Sequence, residues 1–245
     1  MSNFTVLDVA NAVYDEYPGL HQAEFIEDLI VFGLYGPVEF DDGIIPRRSL
    51  AQFLRGIIAV ADISTWSHGV VGPHNFGAKW SGGRARPEEI AWLVRTGQVD
   101  APRFIRRKIN RIRNFNQATD FTRYRGNNAR EGRMGSPRHP TWPAMHSAGS
   151  NLSFWAQVVM NLTPRQACEA KKVNCAVSYA RTVAAVHFED DNLAGLEMGQ
   201  EVLARALPEY FPVKYGSNAS NIRIKVNQKR FKWADYDPLE DCNSL

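Results

Sequence analysis

Apolar residues recur along this chain mostly at helical intervals and divide it into amphipathic segments. The stretches Asn3 to Tyr17 and His21 to Tyr35 read as two helices. The second carries Phe25, Leu29 and Phe32 on one face and is ended by Gly36-Pro37. Ser49 caps a third, whose stripe of Phe53, Ile57 and Val60 is widened by Leu54, Ile58 and Ala61. Between Trp66 and Gly83 glycines accumulate around His74, Lys79 and Trp80, which predicts a solvated loop. Arg84-Ala85-Arg86-Pro87-Glu88-Glu89 then opens a helix bearing Ile90, Leu93 and Val94, since proline and acidic side chains suit a first turn.

Leu152, Trp155, Ala156 and Val159 predict a buried helix from Asn151 to Leu162, with His146 near its start. Thr163-Pro164 begins another that runs through Cys168, Cys175 and Arg181 as far as Asp191. Leu193, Leu196 and Val202 continue helix past Gly195 and Gly199 until Pro208 and Phe211-Pro212 stop it. Ile222, Ile224 and Val226 alternate with polar residues, so one short strand or hairpin arm is expected there, and Asp235 to Leu245 reads as a loose terminus. The expected fold is an all-α bundle in one domain over residues 1–245.

Composition narrows the class. At 245 residues, 44% hydrophobic and 22% charged, the chain can bury a sizeable core. A formal charge of +3 does not by itself imply a nucleic-acid or membrane partner. No apolar run is long enough to span a bilayer and the start lacks a signal-peptide pattern, so a soluble protein is expected. Cys168, Cys175 and Cys242 are too few and too irregular for a disulfide framework or a zinc site, and are expected to be free, buried or incidental. From Arg103 to Arg138 the chain is strongly basic, with Phe104, Phe115, Phe121 and Tyr124 interleaved. That could line a phosphate backbone or funnel small anions, but a solvated basic surface is the simpler reading and nucleic acid is not expected.

Two segments carry candidate chemistry. Ser136 to Gly149 places His139 and His146 among Pro137, Pro140 and Pro143, which stiffen the turn and hold His146 in place for acid–base work. On a regular helix His187 and Asp191 lie one turn apart, so the carboxylate can take one imidazole N–H and fix which nitrogen is free.

Three gapped blocks, in order, unite these segments: Lys79 with Arg86-Pro87 after six intervening residues, Pro143-Ala144-Met145-His146, and Ala180-Arg181 followed by His187 and Asp191. They resemble the blocks of the vanadium-dependent haloperoxidase and type-2 phosphatidic acid phosphatase superfamily, over residues 79–199. His139-Pro140-Thr141-Trp142 preceding the second block is similar to the bromoperoxidase type. The resemblance implies a peroxidase that oxidises bromide or iodide with hydrogen peroxide at vanadate, for delivery to an organic acceptor. It assigns Lys79, Arg86, Arg181 and the Met145 amide to holding the oxyanion, a site that phosphate can also occupy. His187 becomes the vanadium ligand and Asp191 the acceptor behind it. His146 becomes the acid–base residue, while His139 and Trp142 line the halide approach. A homo-oligomer is expected. The family Ser and Gly of the second block are Ala144 and Met145 here. Two alternatives therefore stand beside this one: a soluble acid phosphatase with His187 as nucleophile, and a non-catalytic oxyanion-binding member.

Overall fold

One helix, α1 (Gln52–Gly82), runs straight through the stretch whose glycine content predicts a loop. The computed structural model describes residues 25–30, 33–36, 38–41, 44, 52–111, 139–183, 186–237 and 241–242. The expected helix from Asn3 to Tyr17, the Ser49 cap and the basic stretch 112–138 lie outside these residues. In α1 the buried Ala59, Val60, Ile63 and Val71 anchor one face, and this burial outweighs the ~1 kcal/mol that an interior glycine costs. At Gly72 a Cβ would lie 3.9 Å from Met145 Cε, an ordinary contact, so packing does not demand glycine there. The helix ends at Gly83, whose φ of +62° lets its N–H return to the Lys79 carbonyl oxygen at 2.9 Å.

The remaining helices are α2 (Pro87–Arg95), α3 (Arg103–Arg111), α4 (Met145–Gly149), α5 (Leu152–Val159), α6 (Pro164–Val183), α7 (Glu189–Tyr215) and α8 (Ala219–Lys229), followed by a 3-10 turn at Trp233–Asp235. All residues of α5 are buried, and it packs on α6 and α8. The long α7 crosses α4, α1, α6 and α8. Its approach to α4 is possible because Gly195 and Gly199 lack side chains: a Cβ at Gly199 would overlap the Ala148 carbonyl oxygen. The core joins Leu29, Phe40, Ile63, Leu152, Phe154, Leu203, Phe211 and Ile222, and the fold is all-α.

Four expectations are corrected. The alternating stretch near the C-terminus is helix α8: Asn218 accepts the N–H groups of Ser220 and Asn221 at its start, and Ile222 and Val226, four apart, are the buried pair. Pro208 and Pro212 do not stop α7, which reaches Tyr215 and is closed by Gly216 at φ +69°. The helix predicted to run through His187 is described only as far as Val183, and the next starts at Glu189; Val186 and His187 lie in a bend before it. Cys168 and Cys242 are not free: they form a disulfide that ties the expected loose terminus onto α6, while Cys175 remains a thiol. Among the described residues, no helix is long and apolar enough to cross a membrane.

Candidate active site

The first block enters the interior at two points. Lys79, in the last turn of α1, is fully buried and donates from Nζ to the carbonyl oxygens of Thr141 at 2.8 Å and Pro140 at 3.1 Å. Arg86, just before Pro87, is also buried. It donates to the carbonyl oxygens of Val186 at 2.7 Å and His139 at 3.0 Å, and its Nη2 lies 3.2 Å from His139 Nδ1. Lys79 thus ties the histidine turn to the end of α1, and Arg86 pins that turn to the His187 bend. Burial, and then the neighbouring Arg86, bring the Lys79 ammonium down to about 7.

His187 is buried, and its Nδ1 lies 2.9 Å from Thr141 Oγ1, which in turn lies 2.6 Å from Asp191 Oδ2. The direct separation of His187 Nδ1 from Asp191 Oδ2 is 3.5 Å, too long for a strong charge-assisted hydrogen bond. The carboxylate expected against the imidazole therefore reaches it through a hydroxyl. Asp191 is the third residue of α7 and accepts the Phe188 N–H at 2.8 Å. Its other oxygen accepts Arg84 Nη1 at 2.9 Å, and the Arg84 guanidinium stacks over the Phe188 ring at 4.4 Å. Although burial opposes it, the His187, Thr141 and Phe188 contacts hold the Asp191 carboxyl below the usual carboxylate range.

His146, in the first turn of α4, is electrostatically coupled to all the rest. Burial, followed by the positive charges of Arg181, His187, Lys79 and Arg86, pushes its imidazole down to about 3. Burial likewise brings His187 to about 3. Both rings are neutral at neutral pH, poised as bases or ligands rather than as acids. Arg181, in the last turn of α6, has a buried Nε with no hydrogen-bond partner among the described residues, and its carbonyl oxygen accepts the Val186 and His187 N–H groups at 3.1 and 3.2 Å. Lys79, Arg86 and His187 meet through Thr141 and the Val186 carbonyl, and the charges of Arg181, Lys79 and Arg86 act on His146.

The peripheral candidates are placed less uniformly. His139 packs edge-on to Phe76 with ring centroids 5.0 Å apart and contacts Arg86; burial, then Arg86 and Lys79, lower it to about 4. Trp142 is half-buried, and a Cβ at Gly82 would sit 3.5 Å from its ring, which places it against the end of α1. Met145 extends its Cε towards Gly72 and Gly149, 3.9 and 3.4 Å from where a Cβ at each would lie, which is ordinary van der Waals contact. Ala144 is buried, and its N–H donates to the Asp191 carbonyl oxygen at 2.9 Å, which ties the second block to the third.

Against known proteins, no family model matches this chain. No curated protein and no solved structure matches it either. Lys79, Arg86 and Arg181 are gathered where the carboxylate present, Asp191, is already ion-paired with Arg84. Among the described residues, no three His, Cys, Asp or Glu side chains are grouped as ligands for a metal cation. An oxyanion fits such a donor set: it brings the missing negative charge and an acceptor for Arg181 Nε.

Residue-type reasoning alone did not single out Thr141 or Arg84. Thr141 is the spacer of the His-Pro-x-aromatic run, and Arg84 reads as part of a helix-opening basic pair. Their partners are 46 and 107 residues away, so no local spacing marks them.

Proposed function

We propose that this interior region binds a tetrahedral oxyanion and, loaded with vanadate, oxidises halide with hydrogen peroxide. The observation that carries the reading is the buried Nε of Arg181, which has no hydrogen-bond partner among the described residues, on a side chain whose charge acts on His146 in a region where cations outnumber the available carboxylate. Lys79, Arg86 and Arg181 hold the anion by charge, and His187 supplies Nε2 as the ligand to its central atom. When bound, vanadate supplies a Lewis-acidic centre that activates peroxide towards attack by bromide or iodide. His146, neutral in the free site, would be the acid–base group: it would accept the proton that hydrogen peroxide gives up on entry and hold it for the water that leaves. His139 and Trp142 flank the turn on which this takes place and line the halide approach.

The test is bromination of an organic acceptor with bromide and peroxide, measured with and without orthovanadate beside His187→Ala and His146→Ala variants. Vanadate-dependent turnover lost in His187→Ala is the expected result. Turnover without vanadate, or persisting in that variant, removes the mechanism. The same His187 and His146 suit phosphoryl transfer, so hydrolysis of p-nitrophenyl phosphate inhibited by vanadate would instead make the site a phosphatase. A non-catalytic reading is favoured by one observation: at Ala144 the family hydroxyl is absent and the backbone N–H is committed to Asp191. It predicts phosphate or vanadate binding with neither turnover.

A further inference from the structure

We infer that Thr141 is the positioning residue that sets the tautomer of His187, with Arg84 clamping the carboxylate on which Thr141 depends. This deepens the proposed use of His187 Nε2. Thr141 Oγ1 has one hydrogen and three polar neighbours: Asp191 Oδ2 at 2.6 Å, His187 Nδ1 at 2.9 Å and the Val186 carbonyl oxygen at 3.2 Å. Asp191, ion-paired with Arg84, is a carboxylate and can only accept, as can the Val186 carbonyl. The hydroxyl hydrogen is therefore drawn to the short Asp191 contact, and towards His187 the Thr141 oxygen presents lone pairs. Nδ1 must then carry the proton and donate, which leaves Nε2 with its lone pair free for a ligand. The opposite tautomer would set two lone pairs against each other at 2.9 Å, or would turn the hydroxyl hydrogen away from Asp191 and leave two oxygens facing at 2.6 Å.

The hydroxyl can enforce this because the backbone around it is held from both sides. The Thr141 N–H donates to the Arg84 carbonyl oxygen at 2.9 Å, and its own carbonyl accepts Lys79 Nζ at 2.8 Å. Arg84 thus acts twice: its carbonyl holds Thr141, and its guanidinium bonds Asp191 Oδ1 at 2.9 Å while also reaching Asp190. Asp191 Oδ2 is further fixed by the Phe188 N–H, so it cannot rotate to meet the imidazole directly without losing that bond.

The experiment is nitrogen-15 NMR of the histidine side chains in the whole chain, free of added anion, for wild type, Thr141→Val and Thr141→Ser. Val keeps the shape and removes the hydroxyl; Ser keeps the hydroxyl. The expected result is His187 protonated on Nδ1 in wild type and in Thr141→Ser, with loss of that preference in Thr141→Val. An Nε2-protonated His187 in wild type overturns the proposal, and that measurement needs no variant to fold. An unchanged tautomer in a folded Thr141→Val overturns it too, because Asp191 would then be sufficient across 3.5 Å. Titration with orthovanadate gives a second reading: Thr141→Val weakens binding by about 10- to 100-fold and Thr141→Ser restores it. If wild type shows the expected tautomer yet binds neither vanadate nor phosphate, the oxyanion function fails while the Thr141 assignment stands.

Discussion

Arg86 donates to the carbonyl oxygen of Val186 at 2.7 Å, one residue before His187. The same guanidinium bonds the carbonyl of His139, so a single fork spans the histidine turn and the bend between α6 and α7. Lysine offers charge without a fork. Arg86→Lys leaves at least one buried carbonyl unpaired, at a cost of about 1–3 kcal/mol, and releases the bend that aims His187. Urea unfolding should show that loss, and phosphate or vanadate titration should show affinity reduced at least about tenfold. Unaltered anion affinity in a destabilised Arg86→Lys protein would reduce Arg86 to a structural strut.

The pH response follows from bases held below their ordinary values. Lys79 stands at about 7 in the fold against 10.5 for the free group, chiefly because it is buried. Between those values the unfolded chain carries a proton that the folded chain has lost, so stability rises with pH across that window. The contribution is most unfavourable below about 7 and is gone above 10.5. His146 and His187, at about 3 against 6.5, act in the same direction: stability falls as pH drops from 6.5 towards 3. A bound oxyanion reverses the Lys79 shift by supplying the opposite charge. Binding in the upper window is therefore accompanied by proton uptake, and affinity declines as pH rises through it. Calorimetry in two buffers of different ionisation enthalpy measures this, and anion binding without proton uptake there would contradict the placement of Lys79 beside the anion.

What the sequence made legible was block spacing and apolar period. Lys79, Arg86, His146, Arg181 and His187 stood out because their blocks have internal spacing; in the structure Lys79, Arg86 and His187 connect through Thr141 and the Val186 carbonyl, and the charges of Lys79, Arg86 and Arg181 act on His146. The all-α class followed from apolar positions three and four apart. The misread places are those where tertiary packing overrules a local signal. Glycines at 69, 72 and 77 argue for a loop, yet α1 persists because its apolar face is covered and Met145 fills the space beside Gly72. Ile222, Ile224 and Val226 satisfy a period of two, but Ile222 and Val226 also stand one helical turn apart, and the Asn218 cap favours helix. A regular helix would put Asp191 directly against His187; His187 instead lies in a bend, and Thr141 enters between them.

The disulfide Cys168–Cys242 joins α6 to the C-terminal segment across a sequence separation of 74. Restricting an unfolded loop of that length is worth about 4 kcal/mol by loop entropy. Tyr236 sits by both sulfurs, and Lys171 lies 4.0 Å from the centroid of the Phe231 ring and 5.4 Å from that of Tyr236, so the segment also packs on its own account. Reduction should lower the urea midpoint markedly while the folded protein keeps its anion affinity, because the bridge touches none of the oxyanion-holding groups. Equal midpoints with and without reductant would show that packing alone secures the segment.

Met145 separates the two meanings of the altered second block. If its side chain intruded on the anion, Met145→Gly would tighten binding. The structure instead turns Cε towards Gly72 and Gly149, 3.9 and 3.4 Å from where their Cβ atoms would be, so the thioether works as filler between α1 and α4. Truncation to Gly removes that filler and adds backbone freedom in the first turn of α4, costing about 2–5 kcal/mol. Anion affinity should change little, since the amide at 145 is retained. Adding a methyl back at a neighbour, as Gly72→Ala in the Met145→Gly background, should recover part of the stability, because the two changes share one cavity. A Met145→Gly protein that is as stable as wild type and binds vanadate more tightly would mean that the side chain faces the oxyanion after all.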